Sequence, residues 1–231
     1  MDDPTVVIGR DHRDPQGRLL PEHLDPICKV LEARGFVLLP SDTSYSIAAW
    51  PHTERTRHNI NALLQRPDEP ISLAFPSLTV VRRWTARNVV ADRLLERFTP
   101  GPITVVRPAS RLVPVQLTNE VVRSQNRTIG VRIPNSLEEQ QVAGATEHPV
   151  TTVAVRNPAS KAPVTLFAEA VELVRDGVAA TGWAPWCAIE GRIHYARHST
   201  VVEVLGEEGD YRLIRLGALP EATIRDCIDG R

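Results

Sequence analysis

The chain has 231 residues, of which 42% are hydrophobic and 24% are charged, and its formal net charge is -1. These values are typical of a soluble globular protein, and they exclude disordered, fibrous and membrane-spanning classes. The 27 basic residues are balanced by 28 acidic ones, whereas a dedicated nucleic-acid binder usually carries a strongly basic surface.

The cysteines and the N-terminal residues indicate the compartment. Cys28, Cys187 and Cys227 are far apart and odd in number, which argues against a disulfide framework or a CxxC metal site. Residues 1–16 are polar and lack the apolar core of a signal peptide, and no run approaches the ~20 apolar residues of a membrane span. We therefore expect a cytoplasmic protein with no structural metal and no membrane partner.

The first half of the chain alternates helical and strand patterns after a segment, 1–20, that we expect to be loose. In the first helix, apolar residues recur at helical spacing and Gly35 follows the last turn. A turn over 41–45 separates two short apolar runs. The predicted helices are 21–34, 53–64 and 91–98, and the predicted strands are 36–39, 47–49, 71–75 and 103–106.

The second half continues the same mixture. Strands are predicted over 128–133, 150–155, 200–205 and 211–215, and helices over 166–175 and 220–228. The stretch 176–197 contains Gly, Pro and two of the four Trp residues, so we expect a loop or flap there. Strands interleaved with helices over the whole chain predict a single mixed α/β domain spanning 1–231.

Three polar segments fit a ligand site, and each also has a structural explanation. Residues 41–44, Ser-Asp-Thr-Ser, fit a binding turn or a simple Asx or Ser/Thr turn. Arg66 near a helix end fits an anion contact or a favourable interaction with the helix dipole. Arg132 lies in an apolar strand, where a buried charge needs a partner, so a functional anion contact and a structural ion pair are equally open.

The familiar catalytic and metal motifs are absent from the sequence. His194 and His198 have the i, i+4 spacing of a metal pair, but they fall in the predicted loop without a third ligand at suitable spacing. We therefore expect them to be surface residues. The sequence contains no P-loop, GxGxxG or GxSxG motif.

Five short segments are together similar to the motifs of one family, Sua5/YrdC/YciO. They are LPSDTSYSI (39–47), FTPGPIT (98–104), TIGVRIP (128–134), HSTVV (198–202) and IRLGA (214–218). They resemble that family's P-T-D-T-V-Y-G-L, W-P-G-P-L-T, T-V-G-V-R-I-P, S-T-V-V and I-R-x-G-A segments, in the same order. The resemblance implies a YrdC-like α/β fold, with a twisted mixed sheet and helices around a concave nucleotide-binding cavity.

The resemblance also implies ligands and the residues that bind them. Typical members make threonylcarbamoyl-adenylate from ATP, threonine and bicarbonate for tRNA modification. The nucleotide, ATP or AMP, would contact Arg66, Thr128 and Arg215. The small carboxylate or amino acid would contact Ser41, Thr43, Arg132, Thr152 and Ser199. The guanidinium of Arg132 would pair with the ligand carboxylate, and any Mg²⁺ would be held by the nucleotide phosphates. No catalytic residue is identified.

Two of the family's motifs are altered in this chain. The K-x-R pair is replaced by Leu64-Gln65-Arg66, so the lysine is absent. The T-S-A-N-x-S-G loop is replaced by VAVRNPA (153–159). Single donors to a transition state contribute about 2.7–4 kcal/mol, so these losses predict weak or absent threonylcarbamoyl-adenylate synthesis, although Arg156 is a candidate replacement cation.

The sequence leaves three alternative functions open. The first is altered carbamoyl- or acyl-adenylate chemistry by an ATP-dependent transferase, in specialised metabolism. The second is the ordinary L-threonylcarbamoyladenylate synthase of tRNA modification. The third is a non-catalytic nucleotide- or RNA-binding module, although the near-neutral charge argues against RNA because phosphate binding requires a basic surface.

Overall fold

The computed structural model describes residues 2–51, 54–67, 69–110, 113, 119–120, 127–145, 148–204, 206 and 210–230. The strands in these ranges are β1 (Val6–Ile8), β2 (Phe36–Pro40), β3 (Tyr45–Ala49), β4 (Ser72–Ala74), β5 (Ile103–Pro108), β6 (Asn119–Glu120), β7 (Arg127–Arg132), β8 (Val150–Ala154), β9 (Trp186–Ile189), β10 (Thr200–Val204) and β11 (Tyr211–Arg215). The helices are α1 (Pro21–Glu32), α2 (Glu54–Leu63), α3 (Leu78–Trp84), α4 (Val89–Phe98), α5 (Leu137–Gly144), α6 (Phe167–Thr181) and α7 (Glu221–Ile228).

All of the described strands belong to one mixed sheet. Its order is β1-β9-β2-β3-β8-β4-β7-β5-β10-β11, and β6 pairs with β7. The sheet contains both parallel pairs, such as β9 with β2, and antiparallel pairs, such as β2 with β3. The predicted α/β fold with a mixed sheet is confirmed.

The two halves of the sheet are covered differently. In β2, Phe36 and Leu38 face α6, whereas Val37 and Leu39 face α1, so this strand is buried on both faces. In β7, side chains alternate between the two faces, and Ile129 and Val131 belong to the core under α4 and α7. The opposite face of β7 lines an open cavity. The second half of the sheet therefore offers one face to a ligand.

The N-terminal segment differs from the sequence-based expectation. Residues 1–20 were predicted to be loose, but Val6–Ile8 form β1, which pairs in parallel with β9. Ile8 and Leu19 are buried in the core under α1. A three-residue strand is too short for a periodic pattern, which explains why the sequence does not indicate it.

The predicted flap at 176–197 also needs correction. Helix α6 continues to Thr181, and the run Trp186–Ile189 forms β9, inserted between β1 and β2. This strand is completely buried, and a short apolar run of this kind cannot be assigned by periodicity alone. Residues 182–185 and 190–197 of the predicted flap lack helix and strand.

Two helices, α3 and α5, are missing from the sequence-based prediction. In α5 the buried side chains include Glu138 and Glu139, so the helix lacks the usual apolar stripe. Its start is recognisable, because the Ser136 hydroxyl caps the helix by accepting from Glu139 N at 3.2 Å. Among the described residues, no helix has the length and apolar character needed to cross a membrane.

Candidate ligand-binding cavity

A cavity of about 350 Å³ lies over the uncovered face of β8, β4, β7, β5 and β10. Neighbouring strands bring matching positions into one row, because Ser72 lies opposite both Gly130 and Thr152, and Val106 lies opposite Gly130. The described lining residues are Arg66, Glu69, Pro70, Ile71, Ser72, Thr104, Val106, Gly130, Arg132, Thr152, Val153, Ala154, Arg156, Ser199, Val201, Ile214 and Arg215.

Gly130 leaves space in this cavity because it has no side chain. A Cβ atom at this position would lie 2.7 Å from Ser72 Oγ and 3.3 Å from Ser72 Cβ. Both contacts are closer than side chains normally approach each other, so any larger residue would displace Ser72 and fill the cavity. The glycine of the TIGVRIP segment therefore has a steric role.

The charge of the lining is strongly one-sided. Four of the described lining residues are arginines, and one, Glu69, is a carboxylate. The arginines come from separate elements: Arg66 follows α2, Arg132 ends β7, Arg156 follows β8 and Arg215 ends β11. Clustered cations in a concave site attract anions and lower the cost of binding them.

Arg132 is held by a buried carboxylate behind the cavity. Asp42 lies in the β2–β3 turn, is fully buried and accepts from Arg132 Nη2. Its other oxygen accepts from Asn135 N at 3.1 Å. Arg132 Nε is buried and makes no hydrogen bond with the described residues. The structure thus supplies the ion-pair partner that an arginine in an apolar strand requires.

Arg215 is fixed by Ser199. The guanidinium donates from Nε to the Ser199 carbonyl oxygen at 3.1 Å and from Nη2 to Ser199 Oγ at 3.0 Å. Ser199 Oγ also lies 3.0 Å from Thr104 Oγ1. Burial, together with the nearby Arg156 and Arg132, lowers the pKa of Arg215 to about 10. Arg215 therefore remains charged at neutral pH, where the neighbouring arginines repel it. A bound anion would reduce this repulsion.

Arg66 and Arg156 meet at Glu69. Glu69 Oε2 lies 3.6 Å from Arg66 Nη1 and 3.7 Å from Arg156 Nη1. Arg66 also donates from Nε to Asn61 Oδ1 at 2.5 Å. Arg156 Nε is buried without a hydrogen-bond partner in the described part of the chain. The two guanidinium groups are therefore close enough to bind one multivalent anion.

A buried acid lies behind Arg132 and Thr152. Glu139 of α5 is 0% exposed, and burial raises the pKa of its carboxyl to about 6. Arg132 and the hydroxyls of Ser41 and Thr152 oppose this rise in pKa, whereas Asp42 adds to it. Nothing in the sequence pattern marked Glu139, because it lies in a helix without an apolar stripe.

The residues expected at the site fall into two groups. Those that line the cavity are Arg66, Arg132, Thr152, Ser199 and Arg215. Those outside the described lining are Ser41, Thr43 and Thr128. Ser41 and Thr43 are buried in the β2–β3 turn, where Ser41 Oγ lies 3.3 Å from Asp42 Oδ1. Thr128 lies in β7 opposite Pro108 of β5.

Glu69 and Thr104 also line the cavity, although the sequence did not predict them. Thr104 is the final residue of the FTPGPIT segment, so the motif itself was a usable signal. Glu69 is one charge among many, and sequence spacing does not indicate its contacts. Within the described ranges, no three His, Cys, Asp or Glu side chains are grouped as a metal site would require.

Of the two histidines predicted to be surface residues, His194 is exposed, as predicted, and His198 is partly buried. His198 Nε2 lies 3.2 Å from the Lys161 carbonyl oxygen. Burial lowers the pKa of His198, and the nearby Arg215, Arg156 and Arg132 lower it further. His194 instead contributes its backbone N–H, which donates to the Asp42 carbonyl oxygen at 3.0 Å.

A second cavity, of about 550 Å³, lies between α3, α4 and β5. It is lined by Arg82, Thr85, Arg87, Val89, Asp92, Arg93, Glu96 and Arg107. Arg107 is 1% exposed, donates to Asp92 Oδ1 at 2.7 Å and to the Ala86 carbonyl oxygen at 2.8 Å. Arg82 pairs with Glu96 at 2.6 Å. Two of the four arginines in this lining, Arg82 and Arg107, are thus paired with acids of the same lining.

Comparison with known proteins identifies the family. The Sua5/YciO/YrdC family model, described as "Telomere recombination", matches residues 29–217. YciO of Escherichia coli (strain K12) is 24% identical over 149 residues, covering 64% of this chain and 68% of YciO. The crystal structure of E. coli YciO superimposes with a TM-score of 0.73 at 19% identity, covering 92% of this chain and 94% of that structure.

Longer relatives match over part of their length. A protein of Pyrococcus abyssi named threonylcarbamoyl-AMP synthase is 26% identical over 216 residues, which cover 87% of this chain and 57% of the relative. The structure of P. abyssi Sua5 complexed with L-threonine gives a TM-score of 0.77 at 22% identity, covering 97% of this chain and 61% of Sua5. The chain belongs to the Sua5/YciO/YrdC family.

Proposed function

We propose that this member of the Sua5/YciO/YrdC family binds an adenine nucleotide and a small carboxylate in the arginine-lined cavity, and joins them by adenylate chemistry. The observation that carries the proposal is the charge of the described lining, in which four arginines face one carboxylate. A lining of this kind favours a ligand with several negative charges.

The positions of the arginines suggest how the two ligands are arranged. Arg66, Arg156 and Arg215 would hold the phosphates, because Arg66 and Arg156 share one anionic contact and Arg215 lies near Arg156 and Arg132. The half-exposed Ile214 of β11 offers an apolar surface to the base. Arg132 would bind the small carboxylate at the inner end, where its Nε has no partner among the described residues.

The reaction that we propose is a nucleotidyl transfer. A carboxylate or carbamate oxygen forms the new bond to the α-phosphorus of ATP, and the bond to the departing pyrophosphate breaks. The arginines would stabilise the negative charge that develops on the transferred phosphoryl group and on pyrophosphate. Mg²⁺ would be held mainly by the phosphates, because Glu69 is the one carboxylate in the described lining.

A second candidate is the ordinary synthase that makes threonylcarbamoyl-adenylate for tRNA modification. One observation favours it: Arg156 meets Arg66 through Glu69, so it restores a phosphate cation where the family's lysine is absent. Both candidates would act in the cytoplasm, where ATP is available. The first predicts a different carboxylate or carbamoyl substrate.

The test is a binding and turnover experiment on the purified protein. Calorimetry with ATP and AMP tests nucleotide binding, and pyrophosphate release with ATP, threonine and bicarbonate tests synthesis against the P. abyssi synthase as the control. Binding with little turnover would support altered chemistry, since groups that act mainly on the transition state can be lost without losing ground-state affinity. Turnover equal to the control would support the ordinary synthase. Absence of nucleotide binding would contradict both.

A further inference from the structure

Glu69 is held loosely between two arginines in the lining of the cavity over the sheet. Its Oε2 atom lies 3.6 Å from Arg66 Nη1 and 3.7 Å from Arg156 Nη1. These distances exceed the range of a hydrogen bond, whereas the Arg107 and Asp92 side chains of the other cavity are 2.7 Å apart. The Glu69 carboxylate is therefore near two cations without being tightly bound to either.

The backbone at Glu69 is fixed, although its side chain is not. The Glu69 N–H donates to the Pro67 carbonyl oxygen at 2.7 Å, and the Glu69 carbonyl oxygen accepts from Asn61 Nδ2 at 3.1 Å. The side chain is 37% exposed, so water reaches part of it. Glu69 can therefore turn its carboxylate away from the arginines while the backbone that carries it stays in place.

Phosphates bound in this cavity would give Glu69 an anionic neighbour. The proposed function places the phosphates at Arg66, Arg156 and Arg215, and Glu69 lies close enough to Arg215 to raise the pKa of that guanidinium. The carboxylate thus lies among the groups that would hold the phosphates. Like charges at short range repel strongly where little water screens them. A cation between the phosphates and Glu69 would therefore stabilise the bound nucleotide.

The oxygen atoms at this place suit Mg²⁺. This ion binds through one or two carboxylates together with substrate phosphates, and it keeps several waters. Glu69 supplies the one carboxylate of the described lining. In the described ranges, no three His, Cys, Asp or Glu side chains are grouped to hold a metal without further ligands. Phosphates from the nucleotide would complete the ligand set.

We infer that Glu69 is a ligand of the divalent cation that enters with the nucleotide, and that it makes the cavity select the magnesium complex of ATP over ATP alone. This inference deepens the proposed function and rests on it. When the nucleotide binds, Glu69 exchanges its contacts with Arg66 and Arg156 for the cation, and both guanidinium groups become available to the phosphates. Glu69 is then a specificity-determining residue for the form of ATP that binds.

The charge of the lining explains how one carboxylate decides this preference. Mg²⁺ cancels part of the negative charge of the triphosphate, so the four arginines alone attract metal-free ATP more strongly than its magnesium complex. Glu69 has the opposite effect, because a carboxylate repels the free triphosphate and attracts the cation. A lining with Glu69 and one without it therefore differ in the sign of the magnesium effect on ATP affinity.

The test is calorimetry of ATP binding with saturating Mg²⁺ and with a chelator instead, in the absence of any carboxylate substrate. AMP binding, measured in parallel, reports nucleotide binding as such. The variants are Glu69→Gln, the double variant Glu69→Gln/Arg156→Ala and, as a matched control, Glu96→Gln, which removes the acid of an ion pair from the other cavity. The double variant loses one charge of each sign, so its lining keeps the net charge of the natural protein.

The expected results differ in sign between the natural protein and the variant. In the natural protein, Mg²⁺ tightens ATP binding by about tenfold or more, which corresponds to about 1.4 kcal/mol. Without Mg²⁺, Glu69→Gln binds ATP up to about fivefold more tightly than the natural protein, because the arginines lose a competing anion. Adding Mg²⁺ weakens ATP binding by this variant. The double variant does not regain the preference for the magnesium complex, and Glu96→Gln behaves like the natural protein.

The contrary results separate this inference from the proposed function. ATP affinity in the natural protein that is equal or weaker with Mg²⁺ would overturn the inference alone, as would a magnesium preference that Glu69→Gln retains. A preference that returns in the double variant would also overturn it, because Glu69 would then act through net charge and not as a ligand of the cation. Failure of the natural protein to bind either ATP or AMP would overturn the proposed function itself.

Discussion

Two cavities among the described residues, one over the sheet and one between α3 and α4, are both rich in arginine, yet their arginines are paired differently. In the cavity between α3 and α4, Arg107 pairs with Asp92 and Arg82 pairs with Glu96. In the cavity over the sheet, Glu69 is shared by Arg66 and Arg156. The lining of the larger cavity contains two acids for its four arginines, whereas the lining of the smaller one contains one acid for four arginines.

The difference teaches that the way individual arginines are paired is a better guide to a ligand site than volume. Arg107 is fully buried and its pKa is lowered by burial, but Asp92 counteracts that shift. Arg215 is also partly buried, and the charged neighbours that affect its pKa most, Arg156 and Arg132, are cations. A buried cation with an acid beside it supports the fold, whereas one with cations beside it is available to an external anion.

The largest expected effect is on stability, at the larger cavity. Arg107→Ala leaves Asp92 without its buried partner, so the free energy of unfolding should fall by about 3–5 kcal/mol. Urea denaturation measures this loss. Arg82→Ala, which breaks an exposed pair, should cost about 0–1 kcal/mol. Weaker AMP binding by folded Arg107→Ala protein would show that the two cavities are not functionally separate.

The next effect is on affinity, at the cavity over the sheet. Arg215→Ala removes a charged donor, so ATP affinity should fall by about 1.5–3 kcal/mol, while the free energy of unfolding changes little because repulsion is also removed. Calorimetry at two salt concentrations measures the affinity and its salt dependence. Arg225→Ala, on an exposed helical ion pair, is the control. A large loss of stability with unchanged ATP affinity would show that Arg215 supports the fold and does not bind the nucleotide.

A third effect concerns pH. The pKa of Glu139 is raised from 4.5 to about 6, so the folded state binds its proton more tightly than the unfolded state. The resulting stabilisation is complete below pH 4.5 and is lost as the pH rises through about 6, for a total of about 2 kcal/mol. Glu139→Gln should remove this dependence from denaturation curves taken across that range. An identical pH profile in the variant would contradict the assignment.

The smallest effect should come from Glu69. Glu69→Gln removes the anion that Arg66 and Arg156 share, so both become more available to phosphate. Because Glu69 is partly exposed, the gain in ATP affinity should not exceed about 1 kcal/mol. Calorimetry on Glu69→Gln and on the double variant Glu69→Gln/Arg156→Ala measures it. A gain that persists in the double variant would exclude Arg156 as the cause.

Much of the sheet could be predicted from the sequence, because strands such as β7 have apolar residues at alternate positions and carry the TIGVRIP segment. The short β1 and β9 could not, because three or four residues carry too little periodicity. Five expected cavity residues, including Arg132 and Arg215, line one surface. Glu69 and Glu139 were missed because their importance depends on contacts across the chain, which no local pattern encodes.

The order of the strands has a consequence for synthesis on the ribosome. Strand β9 inserts between β1 and β2, and β10 adds to β5, although both emerge long after their partners. Until they emerge, β2 and β5 each have an open hydrogen-bonding edge, and β1 has no partner. Open edges of this kind invite pairing between chains. Nascent chains of this protein therefore need protection until β10 is made, and Arg215 joins the cavity only after that point.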